Sequence, residues 1–380
     1  MDDNKSLAAD EPTISAYGEK RLIAEFIRPL FNQSNKVGGV GDDCAMLDLG
    51  NGQILLISTD RVPADLTAFR LGILDYNGLG RYLASLNLSD IAACGGKPEA
   101  LLLNLGLPST LTYAHFTTMC QGFGDVAAKF GCEVLGGDIT QSAELSISAT
   151  CIGRVTRDRV LTRRGATPGD AIFVSRPLGL TPASFAFHLQ ASTSGLEISE
   201  SELTNLRRQF TLLPMMELAT WLSSTQRCSS CMDNTDGIGQ SLLELSTESK
   251  VAFVLDGDSL IIPPIVQKIA DGLGAESIHL AFSAGADFSL VGTTGDRRLF
   301  EGTGPLSDGQ DLQVIGWIEA GSGVWIQQDG DRKPLAFSGW NYFSSPQLGV
   351  SHGPVGEGNP LELENRRDKK VPALQLRRVA

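Results

Sequence analysis

Val134-Leu135-Gly136-Gly137-Asp138-Ile139-Thr140 is the stretch around which the chain is best read. Val134 and Leu135 look like the end of a short buried strand, and the two glycines predict a tight turn after it. Such a turn presents one carboxylate, with backbone N–H groups beside it free to meet an anion. Gly-Gly-Asp alone also fits an ordinary surface turn. Its weight comes from repetition: Gly41-Asp42-Asp43, Ser58-Thr59-Asp60, Asn87-Leu88-Ser89-Asp90 and Asp233-Asn234-Thr235-Asp236-Gly237 also set carboxylates beside small residues, mostly where apolar runs end.

Outward from that stretch, strands and helices alternate. A helix is expected from about Glu19 to Leu30, then paired strands over Cys44–Leu49 and Gln53–Ile57, with Asp60 just past the second. In the helix from Tyr76 to Ala93, Leu79, Leu83 and Leu86 form an i, i+4, i+7 stripe whose next member is Asp90. A carboxylate on a core-facing stripe is costly unless neutralised. A metal ion would serve, and so would a salt bridge or cap reached through tertiary contact. Gly95-Gly96 and Pro98 end that helix. A strand over Ala100–Leu107, an amphipathic helix over Leu111–Phe130, a strand over Cys132–Leu135 and another over Leu145–Val155 complete a first half ending near residue 160.

The turn-rich joint Arg163-Arg164-Gly165-Ala166-Thr167-Pro168-Gly169-Asp170 opens the second half. Strands are expected over 171–175, 228–232, 251–255, 288–293, 312–319 and 323–328, with helices near 181–190, 201–211, 215–224 and up to about 248. The fold class is α/β (α+β) with two domains, 18–160 and 161–345. Residues 1–17 read as a disordered N-terminus and 346–380 as a flexible tail lacking periodicity.

Composition excludes several functions. The 380 residues carry a net charge of −13, and the segment after Ser345 is itself basic, so the acidity lies in the rest. Such a surface repels nucleic acid, and it admits an anionic substrate only where bound cations invert the field. No apolar run approaches the ~20 residues of a membrane span, and the acidic start Met1-Asp2-Asp3 is unlike a signal peptide. The reading is a cytoplasmic protein. The seven cysteines are odd in number and scattered, as small core residues are; Cys228 and Cys231 have CxxC spacing but no second pair and no nearby histidine.

There is no Gly-x-x-x-x-Gly-Lys-Ser/Thr loop, no protein-kinase motif and no Gly-x-Ser-x-Gly elbow. Histidines 115, 188, 279 and 352 stand away from the acidic motifs. What remains is hard oxygen: Asp42, Asp43, Ser58, Thr59, Asp60, Asp90, Asp138, Asp233, Thr235 and Asp236. Such donors favour Mg²⁺, and several Mg²⁺ ions in one cleft would let an acidic protein without a phosphate-binding lysine loop use ATP.

These motifs resemble thiamine-monophosphate kinase, within the superfamily of aminoimidazole ribonucleotide synthetase and selenophosphate synthetase. The likeness spans about residues 18–345 and rests on Gly39-Val40-Gly41-Asp42-Asp43-Cys44-Ala45, Ser58-Thr59-Asp60, Asn87 to Ala93, Gly136-Gly137-Asp138, Leu161 to Ala166 and Asp233 to Gly237, in the family's order. The resemblance implies an N-terminal sheet that pairs with a second copy into a dimeric barrel-like core, and a C-terminal α/β domain beside it. It implies that Asp43, Ser58, Thr59, Asp60, Asp90, Asp138, Asp233 and Asp236 ligate Mg²⁺. Gly137, Asp138, Arg163 and Thr235 would bind ATP, and Trp340 would meet the acceptor. No general base is assigned, since positioning and charge neutralisation suffice for a phosphate nucleophile.

The acceptor side departs from the family. The Gly-x-His-Phe element after Asp60 is replaced by Arg61-Val62-Pro63-Ala64-Asp65-Leu66-Thr67-Ala68-Phe69, with no histidine, and the family's Gly-Gly-Glu-Asp-Tyr-Glu-Leu becomes Ala284-Gly285-Ala286-Asp287-Phe288-Ser289-Leu290. The expectation is therefore an ATP- and Mg²⁺-dependent phosphotransferase acting on a small acceptor altered from thiamine monophosphate. The alternatives are a true thiamine-monophosphate kinase, an ATP-dependent synthetase of the aminoimidazole ribonucleotide type, and a non-catalytic nucleotide-binding subunit.

Overall fold

The computed structural model describes residue 14 and residues 18–31, 40–63, 66–190, 195–300 and 312–339. The expected terminal segments 1–13, 15–17 and 346–380, and Trp340, lie outside the described residues. Five strands form the first sheet: β1 (Ala45–Asp48), β2 (Gln53–Arg61), β3 (Lys97–Leu107), β4 (Glu133–Gln141) and β5 (Ser146–Thr156), in the order β1-β2-β5-β3-β4. Every pairing is antiparallel except β3 with β4. The parallel pair needs a crossover, which the Tyr113–Lys129 helix provides.

One face of this sheet is apolar because alternate residues of its strands are. Ile54, Leu56 and Ser58 of β2 are buried, as are Ile147, Ala149 and Cys151 of β5. The Tyr76–Ala93 helix covers that face. Asp75 caps it by accepting the Gly78 N–H at 2.8 Å, and Leu79, Leu83 and Leu86 are buried on it as their spacing predicts. Its crossing with the Tyr113–Lys129 helix is very close. A Cβ at Gly80 would stand 1.9 Å from the Met119 carbonyl oxygen, and one at Gly122 would stand 2.1 Å from that of Asn77.

The second sheet has seven strands: β6 (Ala171–Val174), β7 (Ser230–Asp233), β8 (Ala252–Asp256), β9 (Leu290–Thr294), β10 (Gln313–Glu319), β11 (Val324–Gln328) and β12 (Asp331–Pro334). Their order is β12-β11-β8-β10-β6-β9-β7. β7 is buried throughout and packs against the Tyr76–Ala93 helix, so that helix is held between the two sheets. The largest core cluster accordingly includes Leu83, Leu88 and Ile91 together with Phe173, Cys231, Phe288 and Leu290.

Two sequence expectations are corrected. Gly136-Gly137-Asp138 is not a turn after a strand. It lies inside β4, which runs extended from Glu133 to Gln141 with a bulge opposite Leu101 and Leu102. The glycines serve close packing: at φ 150° Gly137 lies so near β3 that a Cβ would fall 1.7 Å from the Leu103 carbonyl oxygen. Likewise Asp60 stands within β2, paired with Ala149, rather than past its end. Among the described residues, no helix is long and apolar enough to cross a membrane.

Candidate metal and nucleotide site

Three elements bring carboxylates together where the sheets meet. Asp43 precedes β1, Asp90 lies in the last turn of the Tyr76–Ala93 helix, and Asp233 ends β7. One oxygen of each lies within 4.8 Å of the others. The Leu79–Leu83–Leu86 stripe that buries the helix also carries Asp90 inward. Ser58, on the inner face of β2, donates to Asp90 Oδ2 at 2.5 Å, and the Asp60 N–H donates to Asn87 Oδ1 at 3.1 Å. Asn87 is in turn held by donating to the Leu83 carbonyl at 3.0 Å.

The electrostatics of this cluster are adverse without a cation. Burial pushes the Asp90 carboxyl well above its usual range, and the charges of Asp60, Asp233 and Asp43 add to the rise. Burial does the same to Asp233, with Asp43 the next contributor. Asp60 is raised mainly by burial, with Asp90 acting the other way and the Asp236 charge adding to the rise. Asp43 is also raised by burial, although Arg163 pulls it the other way. Asp233 Oδ2 is buried and has no hydrogen-bond partner. Although Ser89 lowers the Asp233 carboxyl through a side-chain hydrogen bond, that oxygen has no partner among the described residues, and a group of three carboxylates within 4.8 Å of one another fits a divalent ion of the Mg²⁺ kind.

Cations of the chain border this cluster. The Arg163 guanidinium donates to Asp43 Oδ1 from Nη2 at 2.6 Å and from Nε at 3.2 Å, while its Nη1 meets Glu244. The Arg163 backbone N–H donates to Asp42 Oδ1 at 3.1 Å. Lys20 Nζ donates to Asp236 Oδ2 at 2.6 Å and lies 2.9 Å from Glu244 Oε1. Burial alone would raise Glu244, but Arg163 and Lys20 outweigh it and hold the carboxyl below its usual value.

Asn234, beside Asp233, is fixed from a third direction. Its Nδ2 donates to Asp287 Oδ1 at 2.8 Å, and its carbonyl accepts from the Asp287 and Phe288 N–H groups, both at 3.2 Å. Phe288 adopts φ 53° to do so, a conformation rare for an aromatic residue.

The nominated residues therefore divide. Asp43, Ser58, Asp60, Asp90 and Asp233 gather at one place, with Arg163 beside them and Asp236 at the end of the adjoining ion pairs. Thr59 and Asp138 stand elsewhere. Strand alternation turns the Thr59 side chain to the outer face, where Oγ1 donates to the Ala149 carbonyl at 3.1 Å and accepts from Thr150 at 3.2 Å. Asp60, Ala149, Leu103 and Gly137 form one cross-strand row on the inner face. Asp138 follows Gly137, so it faces outward in the row of Asn104, Ser148 and Arg61, three strands or roughly 14 Å from β2.

Glu244, Lys20, Asn234 and Asp287 join the site without a local sequence signal for it. Lys20 and Glu244 meet across 224 positions of chain, a pairing no local pattern carries. Asp287 meets Asn234 across 53 positions of chain.

The AIR synthase related protein, N-terminal domain family matches residues 41–155, the segment that holds Asp43, Ser58, Asp60, Asp90 and Asp138. The chain is 27% identical over 327 residues to the thiamine-monophosphate kinase of Pyrococcus horikoshii, covering 85% of this chain and 96% of that one. It is 28% identical over 337 residues to the Escherichia coli K12 thiamine-monophosphate kinase, covering 87% and 100%. Among solved structures it resembles "AaThiL complexed with AMPPCP and TMP", with TM-score 0.73, 25% identity, and 88% and 100% coverage.

Proposed function

We propose that this chain, an ATP-dependent kinase of the thiamine-monophosphate kinase-like group within the AIR synthase-related superfamily, takes thiamine monophosphate itself as its acceptor. The observation that carries the reading is the part-buried Asp43–Asp90–Asp233 cluster, with Asp233 fully buried and its Oδ2 unpartnered, in a chain that aligns with the kinases over nearly their whole length. The support favours the unaltered acceptor over the altered one, since the relatives named for this substrate match both halves of the chain.

In this reading residues 18–160 form the nucleotide and dimerisation half, and residues 161–345 the half that packs beside it. Asp43, Asp90, Asp233 and Asp60 would hold Mg²⁺, with Ser58 fixing the Asp90 carboxylate by its hydrogen bond. Bound there, Mg²⁺ would neutralise phosphate charge. Arg163 is aimed by Asp43 and Glu244, so its guanidinium is ordered before a nucleotide arrives and loses little freedom on contact. Thr235 would meet the nucleotide through its hydroxyl, while Gly137 lies on β4 beside Asp138, three strands from β2. The acceptor's phosphate oxygen is itself the nucleophile, so no side chain need remove a proton, and alignment carries the rate.

Asp138 faces away from the cluster of its own chain, which supports a homodimer. β4 is an edge strand with Val134, Leu135 and Ile139 at 44%, 64% and 61% exposure and no lysine or proline to protect it. A second copy docked there would cover the apolar edge and could bring its own Asp138 toward this chain's nucleotide. Ile139→Lys should then convert a dimer to a monomer in sedimentation and abolish turnover; a variant that stays dimeric counts against this edge.

The test of function is product identity. The full chain, ATP, Mg²⁺ and thiamine monophosphate should give one thiamine diphosphate per ADP released. ADP without a phosphorylated product would point to a synthetase, and no turnover would count against the proposal. A second reading, an altered acceptor, is favoured by Ala286 where the family has glutamate and by the run Arg61–Phe69 without histidine. It predicts turnover with another ring-containing acceptor and none with thiamine monophosphate.

A further inference from the structure

Six of the seven cysteines interact in pairs once the chain is folded: Cys44 with Cys94, Cys132 with Cys151, and Cys228 with Cys231. The first two pairs are buried at both members. Cys120 is half-buried but meets no other cysteine among the described residues. Cys228 alone joins access from solvent to a neighbouring thiol, since it is half-buried and Cys231 behind it is fully enclosed. Positions i and i+3 of a straight strand point apart. Here the chain bends at Ser229 before β7 begins, and Cys228 turns back along it. Its Sγ lies 3.1 Å from the Ser230 carbonyl oxygen, part of the peptide unit that carries the Cys231 nitrogen. The bend is fixed from three sides. Ser229 Oγ donates to Asp170 Oδ2 at 2.6 Å, its N–H donates to the Thr293 carbonyl at 2.8 Å, and a Cβ at Gly165 would stand 2.2 Å from its carbonyl oxygen. No third His, Cys, Asp or Glu ligand atom joins the two thiols among the described residues, so the CxxC spacing does not make a metal site.

We propose that Cys228 and Cys231 are a peroxide-responsive dithiol, and that closing their disulfide withdraws Asp233 from the carboxylate cluster. The Cys228 thiol gives its proton to water, and its sulfur attacks one oxygen of hydrogen peroxide. The O–O bond breaks, Cys228 becomes the sulfenic acid, and the departing hydroxide takes up a proton and leaves as water. The Cys231 sulfur then attacks the Cys228 sulfur, the S–O bond breaks, and the hydroxyl leaves as water with the Cys231 proton. Two thiols have lost two electrons and one peroxide has become two waters. An S–S bond of about 2.05 Å is shorter than any contact between separate thiols, so closure draws Cys231 toward the bend. Cys231 and Asp233 stand two residues apart on one face of the four-residue strand β7, so Asp233 moves with it. The Cys231 N–H also donates to the Thr162 carbonyl at 2.9 Å, next to Arg163, so the pull reaches that side of the cluster too. This coupling rests on the reading of the cluster as a divalent-metal site; formation of the disulfide does not.

The test treats the full, metal-free chain with hydrogen peroxide and then alkylates the remaining thiols in denaturant. Trypsin releases residues 228–250 as one peptide that holds both cysteines and no others. That peptide should be unalkylated and lighter by two hydrogens, and dithiothreitol should reverse the change. Before denaturation, the oxidised chain should bind Mn²⁺ about tenfold more weakly than the reduced chain, read from the electron paramagnetic resonance signal of the free ion; losses of this size follow when a group that orients a metal ligand is altered. Cys228→Ser, or Cys228→Ala if the serine variant does not fold, should keep its Mn²⁺ affinity through peroxide treatment, and Cys120→Ser should respond as the wild type does. Both thiols of the peptide alkylated, or Cys228 recovered as the sulfinic acid, would overturn the dithiol. A disulfide with unchanged Mn²⁺ affinity would overturn the coupling to Asp233. A reduced chain that binds no Mn²⁺ would overturn the metal reading and the coupling together, while the peptide mass still decides the disulfide.

Discussion

Asp236 and Glu244 at the rim of the cleft, and Asp43, Asp90 and Asp233 in its depth, are the same chemical group under opposite conditions. The rim carboxylates are matched to cations of the chain, and Glu244 is held below its usual pKa by Arg163 and Lys20 against the effect of burial. The deep ones face each other, with Arg163 bonded to Asp43 and reaching Asp233 only through its charge, and Asp90 and Asp233 are driven well above theirs. The rim is therefore complete as folded, while the depth is complete only with an added cation. Carboxylates kept buried and mutually repelling cost folding stability, and a use outside folding is what accounts for them.

The sharpest way to break this comparison is Asp90→Asn. The amide keeps volume and hydrogen bonding but removes charge, so turnover should fall by about 100-fold or more, as when electrostatic stabilisation is lost at other sites. Metal-free stability should hold or rise, because a repulsion is relieved. Asp90 contacts Ser58 and Asp60, and no ion-pair partner of Asp90 is found among the described residues, so the alternative of a stranded buried cation is disfavoured. A large drop in the metal-free melting temperature would overturn the ligand role.

The pH dependence of stability should carry the same signature. A carboxyl whose folded pKa is raised adds stability that is complete below its unfolded value of about 3.8 and lost as pH rises through the folded value. Metal-free protein should therefore lose several degrees of melting temperature to Asp90, Asp233 and Asp60 as pH rises from their unfolded value of about 3.8 toward neutrality. Saturating Mg²⁺ should remove that part of the slope. The exposed carboxyls of Glu202, Asp296 and Glu319, lowered to about 2, add stability that is complete once pH is well above their unfolded values. His188, which burial holds below its usual pKa, acts in the opposite direction, and Mg²⁺ should not affect it. Differential scanning calorimetry with and without Mg²⁺ at several pH values separates the two; a slope indifferent to Mg²⁺ would count against the cluster.

The smallest effect is expected at the rim. Lys20→Met removes two part-exposed ion pairs, to Asp236 and Glu244, and pairs of this kind contribute up to about 1 kcal/mol each. The metal-free melting temperature should move by less than about 8 °C. A larger loss would mean that Lys20 holds the N-terminal helical segment in place.

Local pattern carried much of the fold. The stripe of Leu79, Leu83 and Leu86 located the helix and put Asp90 on its buried face, because a helical period fixes direction as well as type. The Gly136-Gly137-Asp138 run misled for a physical reason. Glycines mark either a turn or a close backbone approach, and the approach to Leu103 depends on a strand some thirty residues earlier. The same limit hid Lys20, Glu244 and the Asp287–Asn234 clamp, whose partners meet only through tertiary packing. Thr59 and Asp138 share motifs with Asp60 and Gly137, yet a period of two sends neighbouring side chains to opposite faces. Motif membership therefore does not assign a residue to one site.

Calorimetric titration of ATP into the full chain, once in EDTA and once in millimolar Mg²⁺, tests the central claim most directly. Carboxylates that are uncompensated without a cation repel a triphosphate, and the same groups become its anchor once divalent ions are bound. Binding heat should appear in Mg²⁺ and vanish in EDTA. Equal affinity in both would contradict the account.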